Sequence, residues 1–278
     1  MDYFIIQVFL RKFAIIEYMA DYILARKSRN IASSFVHVFL NLLLGIGSVL
    51  ITVLSGSPVL GLLLVIVSKW RIFAVRLRYL WLNIKSNLVD LIVGFSVVLL
   101  SYYAGSAFLP VHLILAVFYC VWLLVIKPLS NDNATLIQAL IAVFLGSSAC
   151  TIMTAGLNSI VFVLLEFLVG YACSRHVLSQ SDDKDFTLTT LICGLVFAEI
   201  AWLCDSWSII YTFGSSGIRI PQIAIILTIF AFVYNRVREA TVKYQEDFRF
   251  KHILTPVLFG AVLIGVIVLL FSNPIFNI

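Results

Sequence analysis

A soluble domain carries about 25 % charged residues, whereas only 12 % of these 278 residues are charged and 62 % are hydrophobic. This composition excludes a soluble globular protein. It predicts an all-α, polytopic integral membrane helical bundle, because apolar runs of about 20 residues recur from Ile31 onwards. The formal charge of +5 does not indicate a nucleic acid partner, since the basic residues lie between the apolar runs rather than on one face of a domain.

Residues 1–30 are predicted to form an amphipathic helix that lies on the cytoplasmic membrane surface. Their apolar residues occupy broad faces, whereas Gln7, Arg11, Glu17 and Asp21 share a narrower polar arc. A transmembrane position would cost about 2.5 to 3.5 kcal/mol for each charge near the bilayer centre. The interfacial position is therefore favoured. Asp2 stands where a signal peptide carries positive charge, so the segment is expected to be retained.

Residues 31–278 are predicted to form a single transmembrane bundle of about nine helices. The second span is the weakest, because its uninterrupted apolar part is too short to cross a bilayer unless Lys69 and Arg71 reach the interface. The alternative is a re-entrant hairpin formed by the first two spans. The predicted spans are Ile31 to Val53, Ser57 to Phe73, Asn87 to Tyr103, Leu109 to Ile126, Ala134 to Met153, Leu157 to Ser174, Phe186 to Asp205, Arg219 to Asn235 and Ile253 to Phe271.

The basic residues predict the orientation of these spans. Of the 19 lysine and arginine residues, all except Arg219 fall on one side, and the positive-inside rule places that side in the cytoplasm. The N-terminus is therefore expected in the cytoplasm and the C-terminus outside. On the cytoplasmic side, residues 69–86 are predicted to form a basic interfacial helix whose Arg71, Arg78 and Lys85 contact anionic lipid headgroups. General positive-inside anchoring without lipid specificity explains the same pattern.

Small residues and cysteines have structural interpretations. Ala142, Gly146, Cys150 and Thr154 recur every four residues on the fifth span, a spacing that lets helix backbones approach closely. The sixth span is the expected partner. The five cysteines show no metal-ligand spacing, and the sequence has no GxxxxGK[ST], HExxH or GxSxG signature. No metal and no cofactor are therefore expected.

Glu166 and Glu199 are the acids that lie well inside predicted spans. Counting along each helix, Glu166 lies about 15 Å and Glu199 about 9 Å from the end predicted to face outside. A carboxyl at such depth is expected to be protonated or paired, and often belongs to a proton or substrate path. Asn158 shares a helical face with Glu166 and is predicted to line the same path. The alternative is a hydrogen bond to a neighbouring helix that fixes register or recruits a partner.

A second group of polar residues is predicted at the outer ends of the helices. The simplest expectation is an ion pair between Arg219 and Asp205. A second hypothesis arranges Arg219, Glu199 and His112 around a pocket for an anionic or zwitterionic group. A third uses Glu199, Asp205 and His112 as the catalytic cluster of a lipid-modifying enzyme.

The leading functional prediction is a small multi-pass membrane transporter or permease. In this prediction Glu166 and Glu199 take or release a proton as a substrate passes. The alternative is a non-catalytic membrane subunit or scaffold that binds a partner membrane protein or a second copy of the chain, with its carboxyls used for helix packing.

Overall fold

The computed structural model describes residues 34–105, 109–179, 186–207, 209–212, 218–244 and 250–271. The amphipathic helix predicted for residues 1–30 lies outside these residues. The chain divides into the units Met1–Leu43 and Leu44–Ile278. In the first unit, the Asn41 side-chain amide donates a hydrogen bond of 3.2 Å to a ring nitrogen of His37. The contacts and cavities described below lie within the second unit.

The described residues are helical apart from one short hairpin, as the composition predicted. Strands β1 (Ile210–Thr212) and β2 (Arg219–Pro221) pair antiparallel, with Tyr211 opposite Ile220. The helices are α1 (Ser34–Ser55), α2 (Pro58–Ser68), α3 (Trp70–Phe73), α4 (Leu77–Ser86), α5 (Leu88–Ala104), α6 (Leu109–Val121, continued by a π-helix at Trp122–Ile126), α7 (Asp132–Thr154), α8 (Ser159–Leu178), α9 (Phe186–Asp205), α10 (Gln222–Lys243) and α11 (Lys251–Phe271).

By length and hydropathy, six helices of the described residues are able to cross a membrane, namely α1, α6 with its π-helix, α7, α8, α9 and α11. Helices α4 and α5 meet at a bend of 61° and raise the number to seven if they form one span. Helix α2 has 11 residues, and α10 carries Arg236, Arg238 and Glu239 near its end. The membrane class is therefore confirmed, whereas the predicted count of about nine spans is not.

Helix α7 lies at the centre of the described bundle and packs against α5, α8 and α10. Within its most apolar window, 72 % of the residues are buried, compared with 6 % for α11. A Cβ atom added to Gly146 of α7 would lie 2.9 Å from Cγ2 of Ile92 on α5 and 3.1 Å from Cγ2 of Val169 on α8. The predicted close approach of α7 and α8 is therefore present, and it also includes α5.

Capping residues fix the positions at which α7 and α8 begin. The Asn131 side chain accepts a hydrogen bond of 3.1 Å from the Ala134 N–H at the start of α7, and Asn158 accepts one of 2.9 Å from the Ile160 N–H at the start of α8. Between the helices, Gly156 has a φ of 86°, a conformation that glycine adopts without strain. The chain therefore reverses sharply, and α8 packs antiparallel to α7.

The basic segment 69–86 is divided into two helices rather than forming one. Helix α3 ends at Phe73 and α4 begins at Leu77, so Arg71 lies on a different helix from Arg78 and Lys85. Arg78 is exposed, and the Lys85 ammonium lies 5.0 Å from the centre of the exposed Trp81 ring. Helix α4 therefore carries a basic and aromatic surface, and its contact with anionic lipid stays a prediction.

Candidate functional site

Glu166 is a fully buried carboxyl at the contact between α7 and α8. Its exposed fraction is 0 %, and its Oε2 atom accepts a hydrogen bond of 2.8 Å from the Ser147 hydroxyl. Its Oε1 atom is buried and has no hydrogen-bond partner within the described part of the chain. We call the hydrogen-bonded pair of Ser147 and Glu166 the carboxyl clasp. A carboxyl group offers several more hydrogen-bonding positions, so the bonding capacity of Glu166 is only partly used.

Hydroxyl groups follow α7 from the clasp towards its C-terminal end. Thr151 donates a hydrogen bond of 2.7 Å to the Ser147 carbonyl, and Thr154 donates one of 2.7 Å to the Cys150 carbonyl. Each hydroxyl oxygen keeps lone pairs that can accept a further hydrogen bond. The helix therefore presents a row of polar groups inside an otherwise apolar bundle.

A cavity of about 250 Å³ lies at the end of the bundle where α7 turns into α8. Its lining includes Thr151, Thr154, Phe162 and Asp205. Thr151 follows Ser147 by one helical turn, and Phe162 precedes Glu166 by one turn. At about 1.5 Å per residue, this cavity, which we call the Asp205 cavity, ends about 6 Å along the helices from the clasp.

Two more cavities lie on the other side of the clasp. The nearer one is small, about 40 Å³, and is lined by apolar groups that include Val143 and Gly170, each one turn from a clasp residue. The farther one measures about 380 Å³, and both acids and cations line it. The two cavities share Val177 and Asn235 in their linings. We call the farther one the Asp132 cavity, after the first residue of α7.

The carboxyl clasp therefore separates cavities that approach it from both ends of the α7–α8 contact. Neither Ser147 nor Glu166 lines any of the three cavities. A buried ionised carboxyl without a paired cation is costly, and Glu166 forms no ion pair within the described residues. In this arrangement the carboxyl can exchange a proton with water only when one flanking cavity extends to it.

The structure does not bring Glu166 together with Glu199 or Asn158. Glu199 is exposed on α9 and forms no hydrogen bond or ion pair within the described residues. Asn158 is exposed and caps α8, two helical turns from Glu166. Its side chain therefore stabilises the start of a helix. The partner of Glu166 is Ser147, which the sequence did not single out.

The residues predicted as an outer network lie in three separate places. His112 is buried, and its ring nitrogens lie 2.9 Å from the Ser101 hydroxyl and 2.8 Å from the Gly105 carbonyl oxygen. Because a carbonyl only accepts, Nε2 of His112 carries a hydrogen. Asp205 accepts a hydrogen bond of 2.5 Å from Ser159. Arg219 lies on β2 beside a further cavity.

The predicted ion pair between Arg219 and Asp205 is therefore not formed. Among these described residues, Glu199, Asp205 and His112 also do not form a hydrogen-bonded cluster, because the last two are bonded to other groups and Glu199 is exposed. The catalytic hypothesis based on this cluster loses its geometric basis.

A charged cluster forms around the buried Asp90 carboxylate. Lys69, which is also buried, forms an ion pair with Asp90. Lys127 adds a second ion pair at 2.6 Å, and the Trp122 indole N–H donates a hydrogen bond of 3.1 Å to Oδ1 of Asp90. These contacts join α5 to the end of α2 and to the π-helix that follows α6. Lys127 and Trp122 are distant from Asp90 along the chain, so sequence spacing gave no signal for them.

No family model, curated protein or solved structure matches this chain. Within the described residues, no group of three His, Cys, Asp or Glu side chains could hold a metal ion. The class defined by the fold and the site is an integral membrane helical bundle with a buried carboxyl between two sets of cavities.

Proposed function

We propose that this chain is a small proton-linked membrane transporter or permease in which Glu166 handles the proton. The observation that carries the proposal is the position of the carboxyl clasp. It lies within one helical turn of a cavity on each side, and it is closed to both. A transporter that exposes its site alternately to the two sides of a membrane passes through a closed state of this kind.

Proton coupling follows from the surroundings of Glu166. In the closed state the carboxyl lies among apolar groups with one hydrogen bond from Ser147, and a protonated carboxyl is the form that such an environment tolerates. When a flanking cavity extends to Oε1, water reaches the carboxyl, and hydration lowers the free-energy cost of its ionised form. Loss of the proton therefore favours an open state, and uptake of the proton favours the closed state.

We further propose a topology of nine spans, in which α2, α5 and α10 join the six long apolar helices. The Asp132 cavity then lies at the cytoplasmic side and the Asp205 cavity at the outside. The support is the distribution of charge, since Arg219 is the only one of the 19 basic residues on the outer side in this topology.

Proton flux in proteoliposomes tests the transport proposal. The vesicles contain a trapped pH-sensitive dye and are given, one at a time, a panel of amino acids, sugars, organic acids and organic cations. We expect at least one solute to drive a pH change with the wild-type protein, and we expect Glu166→Gln to abolish that change. Glu199→Gln is the matched control, because Glu199 is an exposed acid on the neighbouring helix α9, and we expect it to retain the flux.

Equal flux with Glu166→Gln and with the wild type would contradict the assignment of Glu166.

The second candidate function, a non-catalytic membrane subunit, is favoured by the same hydrogen bond viewed as a link between helices. For a subunit of this kind, the wild-type protein moves none of the solutes, and Glu166→Leu lowers its stability and its recovery with a partner.

A further inference from the structure

A fourth cavity, of about 200 Å³, lies away from the carboxyl clasp, between α5, α6, α7 and the hairpin. We call it the hairpin cavity. Its wall is almost entirely apolar, with side chains that include Leu100, Leu115, Phe144 and Ile152. The Ser148 hydroxyl is also part of the wall, but it donates a hydrogen bond of 2.7 Å to the Phe144 carbonyl of its own helix.

One cation lies at the edge of this apolar space. Arg219 lies on β2 opposite Thr212, is exposed, and is the one charged residue among those that line the cavity in the described part of the chain. Its side chain forms no ion pair or hydrogen bond within the described residues. An arginine held beside an apolar cavity without an acid is suited to a carboxylate or phosphate, which it can bind with two parallel hydrogen bonds.

The wall of the hairpin cavity includes an exposed residue of α6. Ile114 lines the cavity and is 57 % exposed, whereas Ala104, Val111 and Leu115 in the same wall are buried. Helix α6 with its π-helix is one of the helices apolar enough to cross a membrane. In a membrane-spanning α6, the exposed Ile114 side chain faces the hydrocarbon region, and an apolar chain can reach the cavity beside it without passing through water.

We propose that the hairpin cavity binds an anionic amphiphile, with the carboxylate or phosphate on Arg219 and part of one acyl chain in the apolar space. The volume limits the ligand, because drug-sized pockets measure roughly 300 to 1,000 Å³. The cavity holds only a segment of a single chain, and the rest of the ligand extends past Ile114 into the bilayer. A free fatty acid and an anionic phospholipid share this chemistry. The proposal is independent of proton-linked transport.

Native mass spectrometry of the full-length protein tests the site. The delipidated protein in mild detergent is titrated separately with oleate and with dioleoylphosphatidylglycerol, and bound molecules are counted at each concentration. Loss of a charge-assisted contact corresponds to about tenfold to hundredfold weaker binding, so we expect Arg219→Gln to weaken binding by that factor. Arg219→Lys keeps the charge but loses the two parallel hydrogen bonds, so we expect its affinity to lie between those of the wild type and Arg219→Gln. Arg236→Gln removes an exposed arginine of α10 that does not line the hairpin cavity, and we expect it to match the wild type.

A cavity-filling variant separates the apolar part of the site from the charge. Ala104 is buried in the cavity wall, so Ala104→Leu is expected to reduce binding of the acyl chain while Arg219 is intact. Saturable binding of oleate alone identifies a fatty acid site, and saturable binding of phosphatidylglycerol identifies a phospholipid site. Unchanged affinity in Arg219→Gln, or no saturable binding of either ligand to the wild type, overturns the proposal. Because the Arg219 side chain is exposed, we expect its replacement to leave the stability of the fold unchanged.

Discussion

At the residue scale, Ser147 determines how Glu166 is held. The Ser147 hydroxyl is the one hydrogen-bond donor that reaches the Glu166 carboxyl among the described residues. Removal of this donor leaves both carboxyl oxygens buried without a partner. An unsatisfied buried polar group destabilises a protein even in a membrane, although hydrogen bonds between membrane helices are usually weak.

We therefore expect Ser147→Ala to lower the free energy of unfolding by about 1 kcal/mol. Reversible unfolding in mixed detergent micelles, followed by circular dichroism, measures the change. Ser148→Ala is the matched control, since Ser148 is also buried on α7 but bonds only the Phe144 carbonyl of its own helix. Its replacement leaves no side-chain group unpaired. A loss of stability as large in Ser148→Ala as in Ser147→Ala would show that the clasp has no special role.

Residue-scale prediction from the sequence succeeded for the burial of Glu166, but the same argument did not hold for Glu199, which is exposed, and it failed for partners. The position of Glu166 inside an apolar run was enough to predict a buried carboxyl, because every residue around it is apolar or small. Ser147 could not be found in the same way, since it comes from another helix and the spacing within one helix says nothing about its neighbour. Asn158 did carry a local signal, because asparagine is favoured at the N-cap. The predicted span began at Leu157, so its capping role was missed.

At the element scale, glycine positions decide how closely the helices approach. Gly146 is enclosed by Ile92 and Val169, whose β-branched side chains cannot move aside easily. Gly265 on α11 has no atom within 4 Å of the place where a Cβ would stand. Both glycines lie in helix interiors, where alanine is favoured by about 0.5 to 1 kcal/mol. The difference between the two sites therefore isolates the effect of packing.

Gly146→Ala is expected to destabilise the bundle by about 1 to 3 kcal/mol through overpacking, less the gain in helix propensity. Gly265→Ala, the matched control, is expected to be neutral or slightly stabilising. Thermal unfolding in detergent distinguishes the two variants. A gain in stability for Gly146→Ala would mean that α5, α7 and α8 separate easily at this level.

Element boundaries were predictable where capping and apolar runs agreed. The helix predicted to end at Asp205 does end there, and the bounds of α7 differ by two residues or fewer at each end from those predicted. No proline or glycine in the sequence indicated the 61° bend between α4 and α5. The same is true of the break between α3 and α4. The hairpin strands have three residues each, too short for an alternating pattern to be recognised.

At the scale of the whole molecule, the two sets of cavities belong to opposite ends of the bundle. Helices α7 and α8 are antiparallel, so the Asp132 cavity and the Asp205 cavity lie at opposite ends of their contact. The proposed transport path is therefore meaningful only if these ends face different sides of the membrane. Composition and hydropathy predicted the membrane class, but the orientation depends on the positive-inside rule alone.

Accessibility of introduced cysteines tests this orientation. Asn133 is exposed at the start of α7 and Ser206 is exposed just after α9, so neither substitution should disturb the core. A membrane-impermeant maleimide applied to intact cells is expected to label Ser206→Cys, and to label Asn133→Cys only after the cells are permeabilised. The unsubstituted chain is the control, because four of its five cysteines are buried. If Asn133→Cys is labelled in intact cells and Ser206→Cys is not, the bundle has the opposite orientation. If both are labelled in intact cells, the two ends do not face different sides, and the path through Glu166 loses its basis.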